Sequence, residues 1–146
     1  MTDAAATMAA GAALATALTG GEAIALIGDL GAGKTTFTAG LVEALGAGAA
    51  ASPSFSLLNE YPGGRLRVWH ADLYRLERER ELVELGLDDI FGDKRGVVLV
   101  EWADKFDVMP RDHLRLELQH DGDQRVLVAT GTGPRGKALA ALFRDC

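Results

Sequence analysis

A glycine-rich segment carries the residues whose types and spacing best suit phosphate chemistry. Positions 28 to 35 read Gly-Asp-Leu-Gly-Ala-Gly-Lys-Thr and fit the phosphate-loop pattern G-x-x-x-x-G-K-[ST]. Glycines let the backbone turn several N–H groups towards one anion, and the following helix directs its positive end at the phosphates. Lys34 can reach the β and γ phosphates, and the Thr35 hydroxyl can coordinate Mg²⁺. The predicted nucleotide-binding residues here are Asp29, Leu30, Gly31, Ala32, Gly33, Lys34, Thr35 and Thr36.

Two acidic residues stand where a magnesium–nucleotide site needs carboxylates. Glu101 directly follows the apolar run Val97–Val100, and Asp72 comes soon after a second apolar run. Ligands of open α/β sheets bind at the carboxyl ends of the strands. Glu101 is therefore predicted to hold Mg²⁺ through water or to orient the attacking water. Asp72 is the second candidate for the metal or its water shell, with a helix N-cap as its structural alternative. The predicted catalytic residues are Lys34, Asp72 and Glu101, and the predicted metal ligands are Thr35, Asp72 and Glu101.

Three more polar or aromatic side chains lie near these motifs in the sequence. Ser54, with Ser52 as an alternative, lies in a Ser-Pro-Ser loop that can close over the γ phosphate. Trp102 follows Glu101 and is expected either to stack near the nucleotide or to pack in the core. His70 is expected to be a structural hydrogen-bond partner rather than a base. The three histidines show no metal-ligand spacing.

The elements that must position these residues alternate between strands and helices. Apolar runs predict strands over Ala23–Ile27, Phe55–Tyr61, Leu66–His70, Val97–Val100, His113–His120 and Val126–Thr130, with hairpin turns at Pro62-Gly63-Gly64 and Asp121-Gly122-Asp123. Helices are predicted over Met1–Leu18, Thr35–Leu45, Glu77–Leu87 and Pro134–Phe143, with one further turn at Asp88–Phe91. The residues expected to pack inward are Phe37, Leu41, Ala44 and Leu45 in the second helix and Leu82 and Leu85 in the third. We therefore predict an α/β fold. It is a P-loop NTPase-like three-layer sandwich with a mostly parallel central sheet and added antiparallel strands at its C-terminal end.

Composition sets the broad class of protein. The 146 residues are 48% hydrophobic and carry 15 basic and 21 acidic side chains, a net charge of −6. This length predicts one domain, residues 1–146, and the acidic balance argues against gripping nucleic acid through global charge. The single cysteine, Cys146, predicts a free thiol in a reducing compartment. The apolar N-terminal segment has no basic residue before Lys34, so we expect a cytoplasmic protein without a signal peptide or membrane span.

Several motifs taken together resemble the TsaE (YjeE) family. They cover Gly28–Lys105 in order, and the match is loose after Asp107. The loop position Ser54 is more often threonine in that family, and serine keeps the hydroxyl. The motifs that carry the resemblance are Gly28–Phe37, Ser52–Leu57, Asn59–Tyr61, His70–Leu76, Glu81–Gly86 and Val100–Ala103.

The resemblance implies a bacterial ATPase of tRNA threonylcarbamoyladenosine synthesis that uses ATP and Mg²⁺. It also implies association with the TsaD and TsaB proteins, with tRNA contacted only through that complex. The ATPase would reset the complex between cycles rather than transfer the threonylcarbamoyl group. By position, the resemblance carries Lys34, Thr35, Ser54, Asp72 and Glu101 over as phosphate, metal and acidic site residues, and Trp102 as the aromatic that follows the acid.

Other classes of protein share the phosphate loop. A GTPase would normally carry an Asn-Lys-x-Asp motif, and the only asparagine, Asn59, is followed by Glu60. A small-molecule kinase stays open, with Arg75, Arg78 and Arg80 as lid residues. So does an adaptor that binds nucleotide and hydrolyses it slowly. These arginines alternate with acidic residues, a pattern typical of a solvated helix face or of a docking face for a partner protein.

Overall fold

The computed structural model describes residues 4–28, 33–47, 58–73, 78, 80, 86–103, 108–121 and 124–143. Within them, six strands form one sheet. The strands are β1 Ala23–Gly28, β2 Leu58–Tyr61, β3 Arg67–Asp72, β4 Gly96–Glu101, β5 His113–Asp121 and β6 Gln124–Thr132. The helices are α1 Ala4–Ala17, α2 Lys34–Leu45, α3 Leu87–Ile90 and α4 Gly133–Ala140, which a 3₁₀ turn over Ala141–Phe143 extends.

The sheet has the order β2-β3-β4-β1-β5-β6. Strands β3, β4, β1 and β5 are mutually parallel, whereas β2 and β6 run antiparallel to their neighbours at the two edges. The predicted mostly parallel α/β fold is confirmed, with the predicted antiparallel strands at the C-terminal end (β5 and β6) and a second antiparallel pair, β2 and β3, at the other edge. The turn between β2 and β3 contains Gly63 and Gly64, both with positive φ, and it returns the chain as the predicted hairpin.

Helices cover one face of the sheet. On this face, inward residues of the four parallel strands pack against Leu14 of α1, Phe37 and Leu41 of α2, and Leu139 of α4. The opposite face is covered by Leu87 of α3 and by residues that follow β3 and β4. Strand β4 is buried along its whole length, as expected for a parallel strand enclosed on both faces. These layers agree with the predicted sandwich.

The predicted helices agree with the structure in most places where it describes them. The one turn at Asp88–Phe91 is α3, and the last helix is α4 with its 3₁₀ extension. The inward packing of Ala44 was a wrong prediction: Ala44 is exposed beside Ala5 and Ala9, because methyl groups are too short to fill the groove between α1 and α2. The predicted helix cap at Thr2 or Asp3, the start of the predicted strand at Phe55–Leu57, most of the predicted helix Glu77–Leu87 and the turn residues Gly122-Asp123 lie outside the described residues. No helix that the structure describes is long and apolar enough to cross a membrane.

Two glycines let α1 and α2 approach closely, which sets the position of α2 on the sheet. A Cβ atom at Gly40 would lie 2.1 Å from the Met8 carbonyl oxygen, and one at Gly11 would lie 2.2 Å from the Phe37 carbonyl oxygen. Both obstructing atoms are helix backbone, which cannot move aside without shifting a whole helix. The close α1–α2 contact therefore depends on these glycines.

We expect Gly40→Ala to destabilise the fold by about 1–3 kcal/mol, the usual cost of forcing an extra methyl group into a packed contact. Alanine has the higher helix propensity, so a loss of stability would come from the contact with Met8 and not from the helix itself. Thermal unfolding followed by circular dichroism measures the effect. Ala39→Ser is the matched control, because it adds one heavy atom at an exposed position of α2. A Gly40→Ala melting temperature equal to that of the control would contradict the expectation.

Candidate functional site

The carboxyl ends of β1, β3 and β4 meet at one edge of the sheet, where α2 begins. Asp72 of β3 and Leu26 of β1 both pair in register with Glu101 of β4. Side chains alternate along a strand, and Leu26 and Leu99 belong to the core on the helix-covered face. Glu101, two residues after Leu99, and its register partner Asp72 therefore face the same side as α2.

Lys34, the first residue of α2, is folded into this edge. Its side chain is buried, with the whole residue only 6% exposed. The ammonium group donates a hydrogen bond to the Gly28 carbonyl oxygen, with the two atoms 2.7 Å apart, and lies 4.4 Å from the centre of the Trp102 ring. The Lys34 ammonium group thus lies between the end of β1 and Trp102. A phosphate group that binds here can replace the Gly28 carbonyl oxygen as its hydrogen-bond acceptor.

The N-terminus of α2 also presents backbone donors to this edge. Gly33 precedes the helix with a φ of 106° and a ψ of 11°, a left-handed conformation that favours glycine. The first bond of the helix runs from the Phe37 N–H to the Gly33 oxygen, so the N–H groups of residues 34–36 have no partner within the helix. Thr35 is exposed and Thr36 is half-buried. The start of α2 can therefore bind an anion through its free backbone N–H groups, and the Thr35 hydroxyl can coordinate a cation that accompanies the anion.

Glu101 is a buried carboxylate with a defined partner. The residue is 8% exposed, and its Oε2 accepts a hydrogen bond from His70 Nε2 at 2.8 Å. Burial would raise the pKa of Glu101. The hydrogen bond and charge of His70 and the positive charge of Lys34 outweigh it, so the pKa lies below its ordinary value. Glu101 is therefore ionised at neutral pH and can accept a proton or bind a cation.

Two residues of β2 complete the surroundings of His70. Asn59 pairs with His70 in register, and the Tyr61 ring stacks on the imidazole with the ring centres 6.3 Å apart. Burial, and then the nearby charge of Glu101, raises the pKa of Tyr61. Neither Asn59 nor Tyr61 was among the predicted site residues. The signal in the sequence was the alternation of Asn59 with Tyr61 and of His70 with Asp72, which places each pair on one face of its strand.

Of the two roles predicted for Trp102, the structure shows packing in the core, and stacking near a nucleotide stays a prediction. Its ring packs against the core cluster on the α3 side of the sheet and also contacts the Lys34 ammonium group. Its φ of 59° makes it the one non-glycine residue with positive φ in the part of the chain that the structure describes. Such a conformation costs about 1 kcal/mol or more and occurs most often at functional sites.

The structure brings together the predicted residues that it describes. Lys34, Asp72, Glu101 and Trp102 lie at one edge of the sheet, with Gly33, Thr35 and Thr36 at the start of α2 beside them. The other predicted nucleotide-binding residues lie outside the described ranges: Asp29, Leu30, Gly31, Ala32 and Ser54. The predicted roles of both groups in binding and catalysis stay predictions.

The oxygen donors at this edge suit a hard cation. Thr35, Asp72 and Glu101 offer one hydroxyl and two carboxylates. Magnesium in nucleotide sites is commonly held by one or two carboxylates, with phosphate oxygens and waters filling the other positions. In the described ranges there is no group of three or more His, Cys, Asp or Glu side chains that could hold a metal without such help. The donor set therefore fits magnesium bound together with a nucleotide.

The protein thus has a mixed α/β fold in which the lysine at the start of α2, Lys34, lies at the same edge of the sheet as two carboxylates, Asp72 and Glu101, at the ends of neighbouring strands. Residues 1–127 match the family described as "Threonylcarbamoyl adenosine biosynthesis protein TsaE". The chain belongs to the TsaE family.

Individual relatives agree with this assignment. The protein from Bacillus subtilis named "tRNA threonylcarbamoyladenosine biosynthesis protein TsaE" is 43% identical over 122 residues, which cover 82% of this chain and 75% of that protein. The protein of the same name from Streptomyces coelicolor is 39% identical over 132 residues, covering 84% and 88% respectively. The crystal structure of Bacillus subtilis YdiB is 33% identical, with a TM-score of 0.81 over 99% of this chain and 91% of that one.

Proposed function

We propose that this protein is a Mg²⁺-dependent ATPase that supports tRNA threonylcarbamoyladenosine biosynthesis in the cytoplasm. In this proposal it acts in a complex with TsaD and TsaB and meets tRNA only through them. The observation that carries the ATPase proposal is the buried, ionised Glu101 carboxylate within the electrostatic reach of Lys34, at the strand edge where α2 begins. Membership of the TsaE family supports the proposed pathway and the proposed partner proteins.

The first step assigned to this site is binding of the triphosphate. Lys34 exchanges its hydrogen bond to the Gly28 carbonyl oxygen for one to a phosphate oxygen, and the first N–H groups of α2 bind the same group. Thr35, Asp72 and Glu101 are the residues that would hold Mg²⁺, which when bound neutralises charge on the phosphates.

The second step is the attack of water on the γ phosphate. An ionised Glu101 can accept a hydrogen bond from that water and align it with the phosphorus atom. Burial of the carboxylate strengthens this interaction, because little bulk solvent competes for it. Phosphoryl transfer needs mostly positioning and charge stabilisation from the protein, and the residues at this edge provide both.

The test measures three quantities with the purified protein. We expect calorimetry to show ATP binding, phosphate release to require Mg²⁺, and the release rate to rise when TsaD and TsaB are added. Deletion of the gene in its host is expected to lower threonylcarbamoyladenosine in tRNA, measured by mass spectrometry. A small-molecule kinase would instead transfer the phosphoryl group to an acceptor, and an adaptor would bind ATP without a rise in turnover. Either result, or unchanged tRNA modification, would contradict the proposal.

A further inference from the structure

His70 is surrounded by three polar or aromatic side chains on the helix-covered face of the sheet. Asn59 lies directly across from it on β2, Tyr61 stacks on its ring from the same strand, and Glu101 lies diagonally on β4. The His70 side chain is 14% exposed and that of Glu101 is 11% exposed. The imidazole is therefore held from both neighbouring strands, and little freedom remains for the ring to turn.

The direction of the bond to Glu101 follows from the chemistry of the pair. An ionised carboxylate can only accept a hydrogen bond. Nε2 of His70 therefore carries a proton and donates the hydrogen bond that Oε2 of Glu101 accepts. This contact leaves Oε1 of Glu101 as the oxygen without a bond to His70. The hydrogen bond from His70 thus fixes Oε2 towards the imidazole and leaves Oε1 for another ligand.

The second nitrogen of the ring adds nothing to folding stability through hydrogen bonds within the described residues. Nδ1 is buried and has no hydrogen-bond partner within the described part of the chain, and the same holds for Oδ1 of Asn59 across the strand. A buried polar atom without a partner costs free energy, and a role in function is one reason why native structures retain such an atom. Within the described residues, the hydrogen bond of the His70 ring is the one to Glu101.

We propose that His70 is a positioning residue that holds the Glu101 carboxylate through Oε2, so that Oε1 faces the phosphate-binding edge. This inference rests on the proposed ATPase activity. His70 acts through Glu101 and needs no contact with the nucleotide. Its loss therefore affects the rate of hydrolysis and leaves the groups that bind the phosphates, Lys34 and the start of α2, in place.

The test compares His70→Leu, which removes the donor, with His70→Gln, whose side-chain amide can donate to Glu101 from a similar distance. We expect His70→Leu to lower kcat for ATP hydrolysis by about 10–100-fold, the usual effect of losing a residue that orients a ligand-binding side chain. The dissociation constant for ATP should change by less than about threefold, since no phosphate contact is removed. His70→Gln should recover most of the lost rate. His113→Gln is the matched control, because His113 bonds to the Pro110 oxygen at the opposite edge of the sheet.

A second readout does not depend on turnover. In the nucleotide-free protein, NMR of ¹⁵N-labelled histidine should show an Nε2–H proton of His70 protected from solvent exchange. That signal should persist in His113→Gln and lose its protection in Glu101→Ala. If His70→Leu does not fold, His70→Asn, which is too short to reach Glu101, takes its place.

Two results would overturn the inference: wild-type turnover in the variant without a donor, or an unprotected Nε2–H in the wild-type protein. Either can occur while the wild-type protein still hydrolyses ATP. Failure of the proposed ATPase activity is distinct, because then the wild-type protein itself would release no phosphate.

Discussion

Replacement of Lys34 by alanine is expected to weaken ATP binding by about 100-fold, since hydrogen bonds to charged groups contribute about 1.5–3 kcal/mol each. The Gly28 carbonyl and the Trp102 ring already hold Lys34 at the carboxyl edge of the sheet, so little ordering would be needed if phosphate binds there. Calorimetric titration with ATP and Mg²⁺ measures the dissociation constant.

The matched control for Lys34→Ala is Lys94→Ala. Lys94 is exposed and lies just before β4, at the opposite edge of the sheet. Its removal changes the net charge by the same amount, so any general electrostatic effect on ATP appears in both variants. If thermal unfolding shows that both variants are folded, equal affinities for ATP would show that Lys34 does not bind the phosphates.

Glu101→Gln is expected to lower kcat by about 100–1,000-fold, within the range for loss of a residue that assists proton transfer. Glutamine keeps the shape of the side chain and an oxygen that can accept the His70 hydrogen bond, so the local structure should persist. What disappears is the negative charge that Lys34 and His70 stabilise. Single-turnover phosphate release at saturating ATP measures the effect, and ATP affinity is expected to stay within about threefold.

Glu60→Gln is the matched control for Glu101→Gln. Glu60 lies on the exposed side of β2 and pairs with Arg67, a contact between side chains that are 44% and 35% exposed. Surface ion pairs of this kind contribute little to stability or function. Glu60→Gln should release phosphate at the wild-type rate, and a Glu101→Gln rate as high as that of this control would show that Glu101 is not needed for hydrolysis.

Local sequence signals predicted the order of the elements well. The continuous apolar run Val97–Val100 indicated a strand covered on both faces, and β4 is buried throughout. The Pro-Gly-Gly segment indicated a hairpin, and β2 pairs antiparallel with β3. The predicted antiparallel strands at the C-terminal end are β5 and β6. The strand order that puts the two antiparallel pairs at opposite edges of the sheet was not predicted, because the neighbours of a strand in a sheet are a long-range property.

The site was predictable to the extent that its chemistry follows the ends of elements. Asp72 and Glu101 each end a strand, and parallel strands bring their carboxyl ends to one edge. The Ala44 prediction failed because helical periodicity shows which side a residue faces but not whether a neighbouring helix reaches it. The contact between Lys34 and Trp102 was not predictable either, because it joins two elements, and no local pattern indicates the positive φ that Trp102 adopts.

By itself, the sequence determined the kinds of groups that meet at this site: a lysine and hydroxyls at a helix start and two carboxylates at strand ends. These follow from residue identity and periodicity, which are local. Only the tertiary structure decided that His70 binds Glu101, that Tyr61 stacks on His70, and that Lys34 is held between Gly28 and Trp102. Each of these contacts joins residues on different elements, so it exists only after strand order and register bring them within a few ångströms.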